Sequence, residues 1–239
     1  MTLSEIAAAA LRLYGATVLP AVPIALAANV PLLLMGGLSL DPAASSPYEL
    51  MGVLAVVLLC TGLAVSAITR VLLATAAGQP LGLVSLLRLT PRRSLVSLTL
   101  TYALTGFLAH AGLLLLVLPG LVLGGLFAAS LPAVLVEKRA AFPAMGRSTR
   151  LMRQDLLRAM AVYSLGLLVS EFAPVGVVLV LQMAAGESPF SPLLAILLNG
   201  LTLPAALALG VTLYLAARVQ QGTAPEALRA EVAQAAARP

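Results

Sequence analysis

Six long apolar runs, separated by short polar stretches, dominate this chain of 239 residues. A helix needs about 20 apolar residues to cross the hydrocarbon core of a bilayer. Only 10% of the residues are charged, whereas soluble domains carry about 25%. Because backbone polar groups in lipid must be satisfied within helices or closed barrels, the sequence predicts an all-α polytopic membrane protein with six transmembrane helices.

The predicted spans follow one another with short connections. They cover residues 16–38, 50–77, 95–118, 121–136, 159–183 and 193–217. We expect the Pro119-Gly120 pair to turn the chain between the third and fourth spans, which makes these two helices antiparallel neighbours. Residues 1–218 then form a single transmembrane domain. Residues 219–239 form a polar cytoplasmic tail, part helical and part disordered.

The distribution of charge predicts the orientation of the chain. With six spans, all 14 Lys and Arg residues lie at one end of the bundle or, for Arg70, within about two helical turns of it. The loops at the other end contain Asp41, Glu49 and Glu187 and no Lys or Arg. The positive-inside rule therefore places both termini and the basic connectors in the cytoplasm.

The basic connectors and the start of the chain have the pattern of short amphipathic helices at the cytoplasmic membrane surface. On a helical wheel, Phe142, Met145, Met152 and Leu156 share one face, and arginines occupy the other. Such a helix directs its guanidinium groups towards anionic lipid phosphates. The alternative is that these charges only fix the topology. The predicted headgroup ligands are Arg88, Arg92, Arg93, Lys138, Arg139, Arg147, Arg150, Arg153 and Arg158.

A weak internal repeat accompanies these segments. Arg12-Leu13, Arg88-Leu89 and Arg150-Leu151 each precede an odd-numbered span and its return span. Three copies of an interfacial helix followed by a helical hairpin would pack with pseudo-threefold symmetry; chance is the alternative, since the spacing is irregular. We expect Ser4 to be the N-cap of the first interfacial helix.

Four polar side chains within the predicted spans are candidates for function. Glu171 lies near the middle of the fifth span, where a carboxylate costs about 3 kcal/mol on insertion scales. We therefore expect it to face the bundle interior beside His110, Arg70 or Asn199. Glu171 is then either an ion or proton site or a neutral or paired group that joins helices. For the other three, interhelical hydrogen bonds or snorkelling are the structural alternative.

The side chains needed for catalysis or metal binding are scarce. Cys60 and His110 are the only cysteine and histidine, which leaves no disulfide framework and too few ligands for a metal site. The sequence contains no P-loop, H-E-x-x-H or G-x-S-x-G motif. With Trp absent and 4% aromatic residues, a base-stacking surface is not expected. We therefore expect no enzyme, no cofactor and no nucleic-acid partner.

A set of residues before and within the second basic connector resembles a known family. The set is a Pro-Gly pair, a span containing Pro and ending at Glu, and Ala-x-x-x-Ser, namely Pro119-Gly120, Pro132, Glu137, Ala144 and Ser148. With the opening LSEIAAAALRLYG, it resembles the bacterial family named for the membrane domain of glycerophosphoryl diester phosphodiesterases. Tyr14 partly matches the tyrosine or arginine often found after that family's opening helix.

The resemblance implies a six-helix, multi-pass protein of the bacterial inner membrane. Some family members carry a fused phosphodiesterase domain. We do not expect that domain here, since the chain has no acid and histidine cluster to form its active site. The resemblance therefore implies a membrane module without that activity.

Three functions remain open from the sequence. The first is a non-catalytic membrane module that associates with anionic lipid or a partner membrane protein through its basic connectors. The second is a small-solute or proton-coupled transporter, or a channel-like protein, that uses Glu171. The third is an intramembrane enzyme, which requires Glu171 and His110 to lie together in the folded bundle.

Overall fold

The computed structural model describes residues 1–31, 46–79, 92–186, 188 and 190–237. All regular elements in these ranges are helical, which confirms the all-α prediction. The predicted headgroup ligand Arg88 lies outside the described residues, as do the acidic loop residues Asp41 and Glu187. Arg92 and Arg93 open a helix, but their side chains also fall outside the description.

Ten α-helices are found in the described chain. They are α1 (Leu3–Ala28), α2 (Pro47–Ala76), α3 (Arg92–Leu115), α4 (Val117–Phe127), α5 (Ser130–Val136), α6 (Ala141–Met152), α7 (Leu156–Leu167), α8 (Ala173–Ala185), α9 (Ser191–Gln220) and α10 (Pro225–Ala237). A 3₁₀ turn, Arg153–Asp155, joins α6 to α7, and a π-helical turn, Leu168–Phe172, joins α7 to α8. Six helical segments are long and apolar enough to cross a membrane, as the sequence predicts.

The spanning helices form a ring in chain order. α1 packs on α2, α2 on α3, α3 on α4, α4 on α7, α7 on α9, and α9 returns to α1. The short helix α5 leaves the ring and enters its middle, where it contacts α2, α3 and α9. All of its residues except Leu131 are buried. α5 therefore closes one end of the bundle from the inside.

The first helix differs from its prediction in two ways. Its N-cap is Thr2 rather than Ser4, because Thr2 Oγ1 accepts the Glu5 N–H at 3.3 Å and the Thr2 N–H donates to Glu5 Oε2 at 2.7 Å. This reciprocal pair forms a capping box. α1 then continues without interruption through Pro20 and Pro23. The predicted separate interfacial helix is thus the first part of the spanning helix itself.

The turn between the third and fourth spans lies at Leu116, not at the predicted Pro119-Gly120 pair. Leu116 has an extended backbone (φ −160°, ψ 136°), and α4 begins at the next residue. Pro119 falls in the first turn of α4, where a missing N–H breaks no helical hydrogen bond. Gly120 is needed for the close approach of α4 to α3, since a Cβ at this position would overlap the backbone of Leu113. The two helices are packed neighbours, as predicted.

The fourth predicted span, 121–136, is broken after Phe127 into α4 and α5. Ser148 of α6 fills the break: its hydroxyl donates to the Leu126 carbonyl at 2.7 Å and accepts the Ala129 N–H at 3.1 Å. Ser148 is fully buried, and unpaired backbone groups at such a site are costly. The serine of the Ala-x-x-x-Ser pattern thus stabilises an interrupted helix.

The fifth span contains the π-helical turn. The Ala173 N–H donates to the Leu168 carbonyl, five residues earlier. Pro174 has no N–H, and in a regular α-helix its ring would collide with the carbonyl of Ser170. The wider π turn accommodates the proline and displaces the local side chains, including Glu171, from regular α-helical positions.

The tail beyond residue 218 contains a packed helix. Leu228, Val232 and Ala236 lie on one side of α10 and are buried, and α10 contacts α2 and α5. Arg70 of α2 donates through Nη2 to the Ala236 carbonyl at 3.3 Å. A cation at a helix C-terminus is favourable because the helix dipole is negative there. The tail therefore closes the same end of the bundle as α5.

Candidate functional site

A stripe of exposed residues runs along α6, the 3₁₀ turn and the start of α7. Its members are Phe142, Gly146, Arg150, Arg153 and Leu157, and we call it the arginine stripe. Phe142 is 69% exposed and Leu157 is 81% exposed. The residues recur every three or four positions, so they follow one side of a helix. The stripe presents two guanidinium groups between two apolar side chains.

The other side of α6 is packed against the bundle. Ala144, Met145 and Met152 are buried, and α6 contacts α3, α4, α5 and α9. The predicted apolar face grouped Phe142 with Met145 and Met152. The structure separates them, because the methionines pack on protein while Phe142 is exposed on the arginine stripe.

Glu137, which follows α5, collects three arginines around one carboxylate. Arg139 Nε donates to Oε2 at 2.8 Å, Arg147 Nε to Oε1 at 3.0 Å, and Arg218 Nη1 to Oε1 at 3.2 Å. The Tyr214 hydroxyl donates to the same Oε1 at 3.3 Å. We call these five residues the Glu137 cluster. The Glu137 side chain is only 10% exposed, so these contacts compensate a largely buried charge.

Opposing effects set the pKa of Glu137. Burial raises it, but the hydrogen bonds from Arg139 and Arg147 and the charges of Arg147 and Arg218 together hold the pKa below the ordinary value of 4.5. The group is therefore a carboxylate at neutral pH. Removing it would leave arginines at the end of the bundle without their shared counter-ion.

The Glu137 cluster also attaches the tail helix. Arg218 Nη2 donates to Glu231 Oε2 of α10 at 2.8 Å, and Arg218 Nη1 donates to the Tyr214 hydroxyl at 2.7 Å. Arg218 thus connects the end of α9, the residue after α5 and the tail. A cavity of about 460 Å³ adjoins the cluster between Lys138, Gln234 and the charged groups.

The predicted headgroup ligands fall into two groups in the described chain. Arg139, Arg147 and Arg158 form ion pairs within the protein, the last with Asp155. Lys138, Arg150 and Arg153 are exposed. The structure therefore separates cations that bind carboxylates from cations that are exposed at the surface.

A second candidate site is a cavity of about 190 Å³ inside the ring, which we call the Glu171 cavity. Its walls come from α2, α3, α4, α5, α7, α9 and the π turn, and most of the lining is apolar. A Cβ at Gly124 would overlap the ring of Tyr163, so this glycine lets α7 approach α4 at the cavity wall. The polar residues along the lining are Thr69, Tyr102, Thr105, His110, Tyr163, Ser170 and Glu171.

Glu171 and His110 line the same cavity and are both exposed, so the cavity reaches the surface of the bundle. His110 Nδ1 lies 2.8 Å from the Gly106 carbonyl. Because a carbonyl only accepts, Nδ1 carries the hydrogen, and in a neutral ring Nε2 is an acceptor. Within the described part of the chain, Glu171 forms no ion pair; its near neighbour is the Ser170 hydroxyl at 3.5 Å.

The other two predicted intramembrane candidates have different surroundings. Arg70 is buried and donates to the tail helix at Ala236. Asn199 is half-buried and precedes Gly200, where Leu26 of α1 approaches α9 closely. Of the three partners proposed for Glu171, His110 is the one that shares its cavity.

Three aromatic residues that line the Glu171 cavity, Tyr102, Phe127 and Tyr163, were not singled out from the sequence. Tyr102 belongs to the series Tyr102, Gly106 and His110 on α3, and Tyr163 lies eight residues before Glu171. In a regular α-helix, both spacings would place residues on one helical face. This spacing is visible in the sequence. It shows that the tyrosines share a helical face with a polar residue, but it does not show which other helices form the remaining walls of the cavity.

Comparisons of this chain with protein-family models, with curated proteins and with solved structures found no match. In the described ranges, His, Cys, Asp and Glu residues form no group of three or more that could hold a metal ion. Geometry and charge are therefore the properties that indicate what each site binds.

Proposed function

We propose that this protein is a non-catalytic integral membrane module that associates with anionic lipid headgroups through its arginine stripe. The observation that supports this function is the pair of exposed arginines between two exposed apolar side chains along the stripe. At a membrane surface, Phe142 and Leu157 would enter the acyl boundary. Arg150 and Arg153 would meet the phosphates.

The electrostatics of the neighbouring cations favour these two arginines as the headgroup ligands. Arg147 is held by Glu137, and Arg158 forms its ion pair with Asp155. A guanidinium already bound to a carboxylate gains less from a phosphate than an exposed one does. Near an anionic surface, each basic residue contributes about 1 kcal/mol of attraction.

The proposed setting is the bacterial inner membrane, with both termini in the cytoplasm. Arg218, Glu137, Arg147 and the tail helix meet at one end of the bundle, which agrees with the positive-inside argument for that end. Membership in the membrane-domain family of glycerophosphoryl diester phosphodiesterases remains part of this proposal. It rests on the sequence pattern that includes Ser148.

The test compares two charge reversals of equal size. Arg150→Glu with Arg153→Glu changes the arginine stripe, and Arg229→Glu with Arg238→Glu changes the tail. Spin-labelled phosphatidylglycerol and phosphatidylcholine, measured by EPR in reconstituted bilayers, report the lipid preference. We expect the stripe variant to lose at least about tenfold in preference for phosphatidylglycerol, and the tail variant to retain it.

Equal losses in the two variants, or no loss in either, would contradict the proposal. Arg229 is an exposed residue of α10, so the control removes cations without touching α6. Both proteins should melt within a few degrees of wild type, since surface substitutions usually change stability by less than about 0.5 kcal/mol.

A further inference from the structure

We propose that the Glu171 cavity binds a lipophilic monovalent organic cation, an ammonium ion carrying apolar groups. This inference does not depend on the lipid association proposed above. It rests on three properties of the cavity: its charge, its walls and its position along the fifth span.

The charge of the cavity favours a cation. Glu171 is its one acidic side chain, and none of the lining residues in the described chain is Lys or Arg. In the neutral ring, His110 offers an acceptor at Nε2, because its Nδ1 hydrogen is directed at the Gly106 carbonyl. A neutral or anionic ligand would leave the carboxylate uncompensated in an apolar site, whereas a cation neutralises it.

The walls favour an organic ion over an inorganic one. Tyr102, Phe127 and Tyr163 line the cavity together with several aliphatic residues. Aromatic faces attract organic ammonium groups through their ring quadrupoles, and apolar walls accept the substituents. A bare metal ion would require several oxygen ligands, and the described residues hold no acidic or histidine cluster that could supply them.

The position of Glu171 favours a ligand that dissolves in the membrane. Glu171 lies in the π turn between α7 and α8, at the middle of the predicted fifth span, residues 159–183. It is exposed on the bundle surface and also lines the cavity. Its neighbours Leu168 and Phe172 are 56% and 62% exposed, so the entrance has an apolar rim. A ligand reaching this entrance comes from the hydrocarbon region and must be lipophilic.

The π turn that accommodates Pro174 also places Glu171 at the cavity. Single π turns inside α-helices occur frequently at functional sites. Here the turn changes the register of the helix at Glu171, between Ser170, which is buried, and Phe172, which is exposed. The carboxylate is thereby presented at the edge of the cavity.

The experiment uses two ligands of nearly identical shape. Benzyltrimethylammonium carries the positive charge, and neopentylbenzene replaces its nitrogen by carbon. Binding of each to the full-length protein in detergent is measured against empty micelles by calorimetry and ligand-observed NMR. We expect saturable binding of the cation to the wild type, and an affinity for the cation higher than for the neutral compound.

Matched variants then assign binding to the cavity. Glu171→Gln should weaken cation binding by about tenfold or more and leave the neutral ligand unaffected, whereas Glu226→Gln, at an exposed tail position, should change neither. Gly166→Leu should block both ligands by filling the cavity, since a Cβ there meets only Ala206 at 3.9 Å. Gly176→Leu, on a helix with open space around it, is its control.

Three results would overturn the proposal. They are the absence of saturable cation binding to the wild type, equal affinity for the charged and neutral ligands, and equal cation binding by the Glu171→Gln and Glu226→Gln proteins. If only the neutral compound binds and Gly166→Leu blocks it, the cavity holds an uncharged apolar molecule instead. The melting temperature of each variant, measured without ligand, separates lost binding from lost folding.

Discussion

The Glu137 cluster and the Glu171 cavity each contain one glutamate, but the two carboxylates have opposite surroundings. Glu137 is 10% exposed on its side chain and receives three arginines and a tyrosine hydroxyl. Glu171 lines a mostly apolar cavity and, among the described residues, forms no ion pair. A buried carboxylate with this set of partners holds helices together. A carboxylate without a cation, at the edge of a cavity, is available for a ligand.

The largest expected effect is that of Glu137→Gln. The substitution leaves Arg147 and Arg218 without their shared counter-ion, which should cost about 3 kcal/mol of stability. For a chain of this size we expect the melting temperature in detergent to fall by about 6–12 °C. Glu226→Gln is the control at an exposed position. A Glu137→Gln protein that melts like the control would show that the cluster does not hold the fold.

The same carboxylate predicts a dependence of stability on pH. The folded-state pKa of Glu137 lies below its ordinary value of 4.5, so the unfolded chain binds the proton more tightly. The contribution of the ionised Glu137 to stability is complete above about pH 4.5, and it is lost as the pH falls through the folded-state pKa. Melting temperatures from pH 7 down to pH 3 should show this loss in the wild type. A Glu137→Gln protein with the same acid-induced loss would assign the effect to another group.

A smaller effect is expected where the tail helix binds to the Glu137 cluster. Glu231 binds Arg218 from the tail helix, but its side chain is 37% exposed. Solvent screening limits such a pair to about 1 kcal/mol or less. Glu231→Gln should therefore lower the melting temperature slightly and increase proteolysis within α10. A loss as large as that of Glu137→Gln would mean that the tail helix, rather than Glu137, organises this end of the bundle.

The smallest change in stability is expected for Glu171→Gln. The amide removes a charge from an apolar cavity and breaks no ion pair in the described chain, so the free energy of unfolding should stay within about 0.5 kcal/mol of wild type or rise. Ligand binding is expected to change instead. Destabilisation by this substitution would indicate that Glu171 joins helices, the structural alternative considered from the sequence.

The number of spans could be predicted from the sequence, because long apolar runs have few folded solutions in a bilayer. The interruptions could not. Leu116 is as apolar as its neighbours, yet the chain turns there, and α4 ends at Phe127 because Ser148, 22 residues beyond Leu126, satisfies the exposed backbone groups. Such breaks depend on tertiary partners rather than on local composition.

The same limit applies to the sites. Glu171 and His110 could be identified as candidates because polar groups are costly within a span. The role of Glu137 was missed, since its partner Arg218 lies 81 residues away and the basic connector resembled a uniformly exposed surface. The buried face of the tail, with Leu228, Val232 and Ala236, has helical spacing but is dominated by alanine, so its pattern is weak.

The most direct test measures thermal unfolding of Glu137→Gln and Glu171→Gln side by side, with and without benzyltrimethylammonium. We predict that Glu137→Gln alone lowers the melting temperature without ligand, and that Glu171→Gln alone removes the stabilisation that the ligand gives to the folded protein. If the two variants lose stability equally, or if Glu171→Gln is stabilised by the cation as much as the wild type, the distinction between the two glutamates is wrong.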